Sequence, residues 1–287
     1  MKKALNKDVV TQLDDYRDGD GYKHHGIVRY LQGRDAQAEQ DFIIEEVAAA
    51  LTFNGVSYAV MMCTPTDLED FAIGFALSEG IINHYRDVHD VEISRVPVGV
   101  TIDLKIANRC LENLRNKSRK LAGVSGCGLC GEEQLETVRK PLTRLPTKVR
   151  FDLGTLHGAL QGLTRRQTLN QVTGSAHAAA YVDQNGQIQA IYEDVGRHIA
   201  LDKLVGGIHR RRLSGGAILV TSRASFEMVQ KAVAAGVEVL LAVSSTTQMA
   251  VELAERFNLT LLGYCRQNRA NVYTHPERVV GELTSGQ

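Results

Sequence analysis

Between residues 217 and 264 short apolar runs alternate with amphipathic ones: "AILVT", "SFEMVQKAVAAG", "VEVLLAV", "TTQMAVELAERF" and "LTLLGY". The apolar runs are unbroken, as strands buried on both faces must be, and the runs between them carry their apolar residues at helical spacing. In "SFEMVQKAVAAG" that spacing puts Phe226, Val229 and Val233 on one face. A chain built this way folds as a parallel or mixed sheet covered by helices. The pattern begins near residue 148. A helix is expected to start near Asp152, its N-cap. "AHAAAYV" and "QIQAIYE" then form a hairpin about "DQNG", and "GRHIALDKLVGGIHRR" is a helix burying Ile199, Leu201 and Leu204.

The first half reads differently. Residues 1–38 are polar and non-periodic, a flexible tail with at most one strand at "YKHHGIVRYL". In "DFIIEEVAAALTFNGVSYAVMMCTP" the pair Asn54-Gly55 separates two apolar runs, which predicts a type I′ hairpin because both central residues must take positive φ. Thr66 with Glu69 three residues later resembles a capping box opening the helix "TDLEDFAIGFALSEG", which Gly80 closes. "DVEISRVPVGVTIDLKIA" reads as two strands around Pro97 and Gly99. "RCLENLRNKSRKLAG" reads as a basic helix ending at Gly123, "EEQLETVRK" as a short helix and "PLTRLP" as a linker. The expected fold class is α/β with an α+β N-terminal part. The expected layout is a tail over 1–38, a small α+β domain over 39–121, a cysteine-bearing loop and linker over 122–147, and an α/β cofactor-binding domain over 148–287.

Composition narrows the function. Lys plus Arg and Asp plus Glu are each 33, so net charge is zero and phosphate recognition has to be local. Tryptophan is absent and other aromatics are few, which argues against broad base stacking; no nucleic-acid partner is expected. No run approaches 18 apolar residues and the N-terminus has no apolar signal core, so neither a membrane nor a secretory role is expected. Five scattered cysteines in 287 residues suit a reducing cytoplasm.

Three polar segments follow the three late strands: "SRAS" (222–225), "SSTT" (244–247) and "CRQNR" (265–269). Ligands of open α/β sheets bind beyond the carboxyl ends of strands, and free helix N–H groups there favour phosphate. Arg223, Arg266 and Arg269 would add forked positive charge. Each segment alone is also an ordinary set of helix caps; together they suggest a nucleotide or pyrophosphate pocket, although neither a Walker A motif nor a G-x-G-x-x-G is present. In "YEDVGRHIALDK" the residues Glu193, Asp194, Arg197, His198, Asp202 and Lys203 crowd one strand-to-helix junction. They read either as a salt-bridged helix start or as a polar wall of the site. His177 is likewise a core histidine or a site residue.

The remaining motif is "GVSGCGLCGEEQ" (123–134). One C-x-x-C supplies two zinc ligands where four, or three and a water, are needed, and the zinc-deaminase arrangement of H-x-E before P-C-x-x-C is missing. A thioredoxin-type dithiol would open a helix directly after a strand. A further reading is sulfur relay: a thiolate attacks a persulfide much as it attacks a disulfide, glycines give the carrier thiol reach, and "RNKSRK" (115–120) would favour its ionised form if it lies nearby.

The stretches "MCTPTDLEDFAIGFALSEGII", "GCGLCG", "TGSAHAAAYV", "EDVGRHIALDKLVG", "SRASFEMVQKA" and "AERFNLTLLGYCRQNRANVYTHPER" stand in order along residues 40–285. Together they resemble the formate dehydrogenase accessory sulfurtransferase family, FdhD. The resemblance implies a protein that takes persulfide sulfur from a cysteine desulfurase. It passes that sulfur to the molybdenum bis(guanine dinucleotide) cofactor before the cofactor enters formate dehydrogenase. It also implies a C-terminal domain similar to the three-layer cytidine deaminase fold, with a mixed sheet and without the deaminase zinc site.

By the same resemblance Cys127 is the persulfide-bearing cysteine and Cys130 its companion. Tyr264, Cys265, Arg266, Gln267, Asn268 and Arg269 match the cofactor-contacting stretch, to which Arg223 is a further candidate. A guanine nucleotide would then bind as a mimic of the cofactor, and a homodimer is compatible with the reading. Val124, Ile199 and Tyr264 stand where many members carry arginine, asparagine and phenylalanine; the first departure weakens the case for an adjacent arginine activating Cys127, and the second that for a direct ligand role at position 199. The alternatives to sulfur transfer are a chaperone that only holds the cofactor and a C-x-x-C dithiol oxidoreductase.

Overall fold

The computed structural model describes residues 21–114 and 142–283 of the chain. It opens with β1 (Tyr22–Arg29) paired antiparallel to β2 (Gln37–Ile44). The polar stretch up to residue 38 is therefore not all tail: the strand suggested at "YKHHGIVRYL" forms, and its partner begins inside the supposed tail. The ring of His24 packs on its cross-strand neighbour Phe42 at 4.6 Å, and Tyr22 packs on the same ring at 5.5 Å. Such cross-strand ring pairs stabilise a ribbon whose sequence is otherwise polar.

Next come β3 (Val47–Phe53) and β4 (Val56–Cys63), joined by Asn54 at φ 50° and Gly55 at φ 80°. Both central residues are left-handed, as the expected hairpin requires. The Asn54 amide also ties the turn to Ile106, donating to its carbonyl and accepting from its N–H. Helix α1 (Leu68–Ser78) follows. Its N-cap is Asp67, at φ 51°, with no side-chain capping bond. The capping box expected from Thr66 and Glu69 does not form: the helix starts one residue later than that spacing needs, with Thr66 before the cap and Glu69 the second helical residue, and the Thr66 hydroxyl accepts from the buried Lys203 ammonium, 3.1 Å away. Strands β5 (Val88–Val96) and β6 (Gly99–Ile106) complete a four-stranded sheet of order β4-β3-β6-β5, in which β3 and β6 are parallel.

After the short strand β7 (Phe151–Asp152), a turn capped by Asp152 leads into α2 (Leu156–Arg166) and then α3 (Thr168–Thr173). The hairpin of β8 (His177–Val182) and β9 (Ile188–Asp194) forms as expected and feeds α4 (Arg197–Arg211). The alternating stretch then gives β10 (Ala217–Val220), α5 (Phe226–Ala234), β11 (Val239–Ala242), α6 (Gln248–Phe257) and β12 (Thr260–Arg266). Strand β12 is not the last, as the sequence suggested. It folds back into β13 (Arg269–Val272), and a short β14 (Val279–Val280) pairs with β7. The second sheet runs β13-β12-β11-β10-β8-β9 and is mixed, with β10, β11 and β12 parallel.

Alternation along these strands assigns the layers. Ile218 and Leu240 face α4 and α5, whereas Leu219, Leu241 and Leu262 face Leu156, Ala159 and Leu163 of α2. The two sheets share a core. Phe53, Phe71, Ile102 and Leu104 from the first half lie in one buried cluster with Leu201, Leu204 and Ile218 from the second. Helices α1 and α4 meet there with almost no space between backbones: a Cβ on Gly74 would collide with the Asp202 carbonyl, and one on Gly206 with that of Asp70. The Arg210 guanidinium grips Asp70 with two bonds of 2.7 Å, and the Tyr192 hydroxyl donates to the same carboxylate at 2.6 Å. No helix among the described residues is long and apolar enough to cross a membrane.

Candidate site at the strand ends

Because β10, β11 and β12 are parallel, the polar segments that follow them emerge on one edge of the sheet. Backbone bonds stitch the segments together. Ala224 N donates to Ser245 O (3.0 Å), Thr247 N to Ala224 O (3.1 Å) and Tyr264 N to Ser244 O (2.8 Å). Strand β8 runs opposite to β10, and β9 opposite to β8, so His177 and Asp194 reach the same edge, followed by the start of α4. Neighbouring strands lie about 4.8 Å apart, so the floor from β12 to β8 is about 15 Å wide.

Two helices begin directly on this floor. Thr247 caps α6, accepting from Ala250 N at 3.4 Å. Ser225 is the N-cap of α5, but its side chain makes no capping bond, and its Oγ is buried with no partner among the described residues. The first turn of α5 thus has no cap from Ser225, and a helix start of this kind favours an anion.

The segment expected as a free strand end, Cys265–Arg269, is a hairpin tip. Cys265 and Arg266 belong to β12, Gln267 and Asn268 form the turn, and Arg269 opens β13 opposite Arg266. Tyr264 sits at φ 51°, at a bulge that shifts the register between Gly263 and Arg266. The bulge turns Cys265 inward beneath α2, where it is wholly buried and its thiol is pushed up to about 12 by that burial. Cys265 is thus part of the floor and not a free ligand. The Arg269 guanidinium stacks over the Tyr264 ring at 4.7 Å, a cation–π contact that holds both side chains at the tip. Arg223 and Arg266 are exposed and make no ion pair among the described residues. A cavity of about 550 Å³ adjoins the tip, with Leu160, Val243 and Cys265 beneath and Arg266 and Gln267 at one rim.

The acid-base cluster at 193–203 divides in two. Lys203 and Asp194 are fully buried, 2.8 Å apart. Lys203 also donates to Thr64 O, Thr66 Oγ1 and Glu193 O, while Asp194 accepts from Thr64 N and Gly196 N. Asp202 forms a buried ion pair with Lys231. The Glu193 carboxylate accepts from Leu169 N and Asn170 N at the start of α3. These four residues pack and join elements. His198, by contrast, stands at the edge with Nδ1 3.0 Å from Glu227 Oε2; burial holds its pKa down, against the pull of Glu227. His177 is also pulled down, by burial first and then by Arg197.

Cys127, Cys130 and the basic run at 115–120 lie outside the described residues. The other three cysteines are all buried: Cys63, Cys110 and Cys265. Burial raises each thiol, Cys63 to about 12. Sequence reasoning overlooked two things here, the turn back into β13 and the side of the cavity formed by α2. A polar row at helical spacing, His157, Gln161 and Arg165, was the available signal for the second.

Comparison with known proteins adds three findings. The family model described as FdhD/NarQ matches residues 44–280. A protein of Shewanella oneidensis strain MR-1 named sulfur carrier protein FdhD is 46% identical over 255 residues, covering 88% of this chain and 92% of its own. A crystal structure of a candidate formate dehydrogenase accessory protein from Desulfotalea psychrophila superposes with a TM-score of 0.70 at 24% identity. That match covers 91% of this chain and all of the other, and so supports the fold.

Proposed function

The chain belongs to the FdhD/NarQ family, and from that premise we propose that it is a sulfur carrier of formate dehydrogenase maturation. Cys127 receives sulfane sulfur from a cysteine desulfurase and delivers it to the molybdenum bis(guanine dinucleotide) cofactor, held at the strand-end edge, before insertion into formate dehydrogenase. The proposal extends to a cytoplasmic setting and to a deaminase-like frame for the second sheet and its helices.

The observation that carries this reading is a distribution of chemistry. The strand-end edge gathers Arg223, Arg266 and Arg269 with an uncapped helix start, while every described cysteine is buried with a raised thiol. An anionic ligand has a cradle, and the nucleophile must come from Cys127 or Cys130. The anchors of the segment bearing them fit that role. Leu114 is buried, and the stretch after residue 141 is pinned by Asn258 Nδ2 to Leu145 O (2.8 Å) and by Arg278 to Pro146 O (2.7 Å).

The chemistry balances as thiol exchange. The Cys127 thiolate attacks the outer sulfur of the desulfurase persulfide, forming Cys127–S–SH and releasing the desulfurase thiolate. At the acceptor, the Cys130 thiolate attacks the inner sulfur of Cys127. A Cys127–Cys130 disulfide forms and sulfide leaves to the metal, and a cellular dithiol later reduces the disulfide. The arginines and the α5 start hold the phosphates of the acceptor in place during this step. The test is a maturation assay in a strain lacking the native protein. Cys127→Ala should give formate dehydrogenase without activity although its cofactor is bound. Full activity would instead fit a chaperone that only holds the cofactor.

A further inference from the structure

The cavity at the hairpin tip has a second wall that none of the site assignments includes. Besides Arg266 and Gln267 it is lined by Gln161, Thr164 and Arg165, all on α2. Its apolar part is Leu160 and Val243 over the buried Cys265. Among the described residues two guanidiniums and no carboxylate line it, which gives it a positive lining. At about 550 Å³ it is in the size range of small-ligand sites.

The α2 wall is also ordered ahead of any ligand. Arg165 donates to Gln161 Oε1 at 3.0 Å, and Gln161 Nε2 lies 2.7 Å from His157 Nε2. With its carbonyl taken by Arg165, the Gln161 amide donates to His157, so the row is oriented in one sense. Gln171 of α3 donates to Thr164 O and Arg165 O, closing the last turn of the helix. The Arg165 guanidinium is thus tied to Gln161 and its backbone carbonyl to Gln171, which orients the side chain on the helix before it binds.

We propose that Arg165 is a phosphate-binding residue of the pocket. It would grip a nucleoside diphosphate together with Arg266, with the ligand's apolar surface over Leu160 and Val243. This rests on the proposed nucleotide-binding role of the edge and assigns it a new contact. Two forked donors on one anion give geometric selection that a single arginine does not.

Calorimetric titration with GDP at low salt tests the assignment, using wild-type protein and the variants Arg165→Ala, Arg165→Lys, Arg266→Ala and Leu160→Trp. Arg165→Ala and Arg266→Ala should each weaken binding about tenfold or more, the scale of a lost charged hydrogen bond. Arg165→Lys should recover part of the loss, Leu160→Trp should block the cavity, and Tm should stay unchanged for both alanine variants. Wild-type affinity in Arg165→Ala with a loss in Arg266→Ala overturns this assignment and leaves the parent reading standing. Wild-type affinity in both, or no binding of GDP to the wild type, overturns the parent reading with it.

Discussion

Lys203 Nζ lies 2.8 Å from Asp194 Oδ2, and neither side chain has any exposed surface. The pair joins α4 to the Thr64–Thr66 connector, 137 residues away in sequence from Lys203 to Thr66. Removing one partner leaves a buried charge uncompensated. Lys203→Met should therefore lower unfolding free energy by about 3–5 kcal/mol in urea titrations. The double variant with Asp194→Leu should recover part of that loss. A loss under about 1 kcal/mol for the single variant would mean the pair does not hold the two halves together.

The crossing of α1 and α4 has no room for a methyl group. Gly74→Ala and Gly206→Ala drive a Cβ into a backbone carbonyl of the other helix, so each should cost about 2 kcal/mol or more. Gly158, in α2, has open space around its Cβ position. Gly158→Ala should stabilise by up to about 1 kcal/mol through helix propensity alone. Thermal denaturation of the three variants separates these outcomes, and equal effects at Gly74 and Gly158 would contradict the close crossing.

Burial lowers the pKa of His177, His198 and His209 below the ordinary 6.5. The unfolded chain then binds protons at these sites before the folded one does, so stability rises with pH across that interval. Stability from this source should be complete above about pH 6.5 and decline as pH falls from there towards the folded-state values. Urea midpoints measured from pH 8 to pH 5.5 should show the decline, and replacing all three histidines with glutamine should flatten it. Equal pH dependence in the wild type and the triple variant would count against the burial of these rings.

Much of this architecture was readable wherever local pattern and tertiary demand agree. Asn54-Gly55 turns as its chemistry requires, and the stretch from Ala217 to Tyr264 alternates strand and helix because its apolar spacing does. The misses have non-local causes. Helix α1 starts after a left-handed Asp67, so Thr66 falls outside the cap and its hydroxyl serves Lys203 from the other half of the chain. The left-handed Tyr264 follows from pairing with β13 and not from its own preference, and it decides that Cys265 faces inward. The arginines of the edge were visible as residue types, and the row His157, Gln161 and Arg165 marked a polar face of α2, but that this face lines the cavity beside Arg266 depends on how the helix crosses the sheet.

Cys265 lies beside the proposed ligand pocket yet should be chemically silent, since it is buried with a thiol raised to about 12. Cys265→Ala should load sulfur as the wild type does. Its cost should appear only as a lower Tm, from the small cavity left beneath α2. Loss of sulfur loading with an unchanged Tm would reassign the carrier.

The sulfur-carrier account is tested most directly by intact-mass spectrometry after incubation with a cysteine desulfurase and cysteine. The wild type should gain the mass of one sulfur atom, removable by a thiol reductant, and Cys127→Ala should gain none while Cys130→Ala still does. Reductant-labile sulfur retained in Cys127→Ala, or absent from the wild type, would contradict the account.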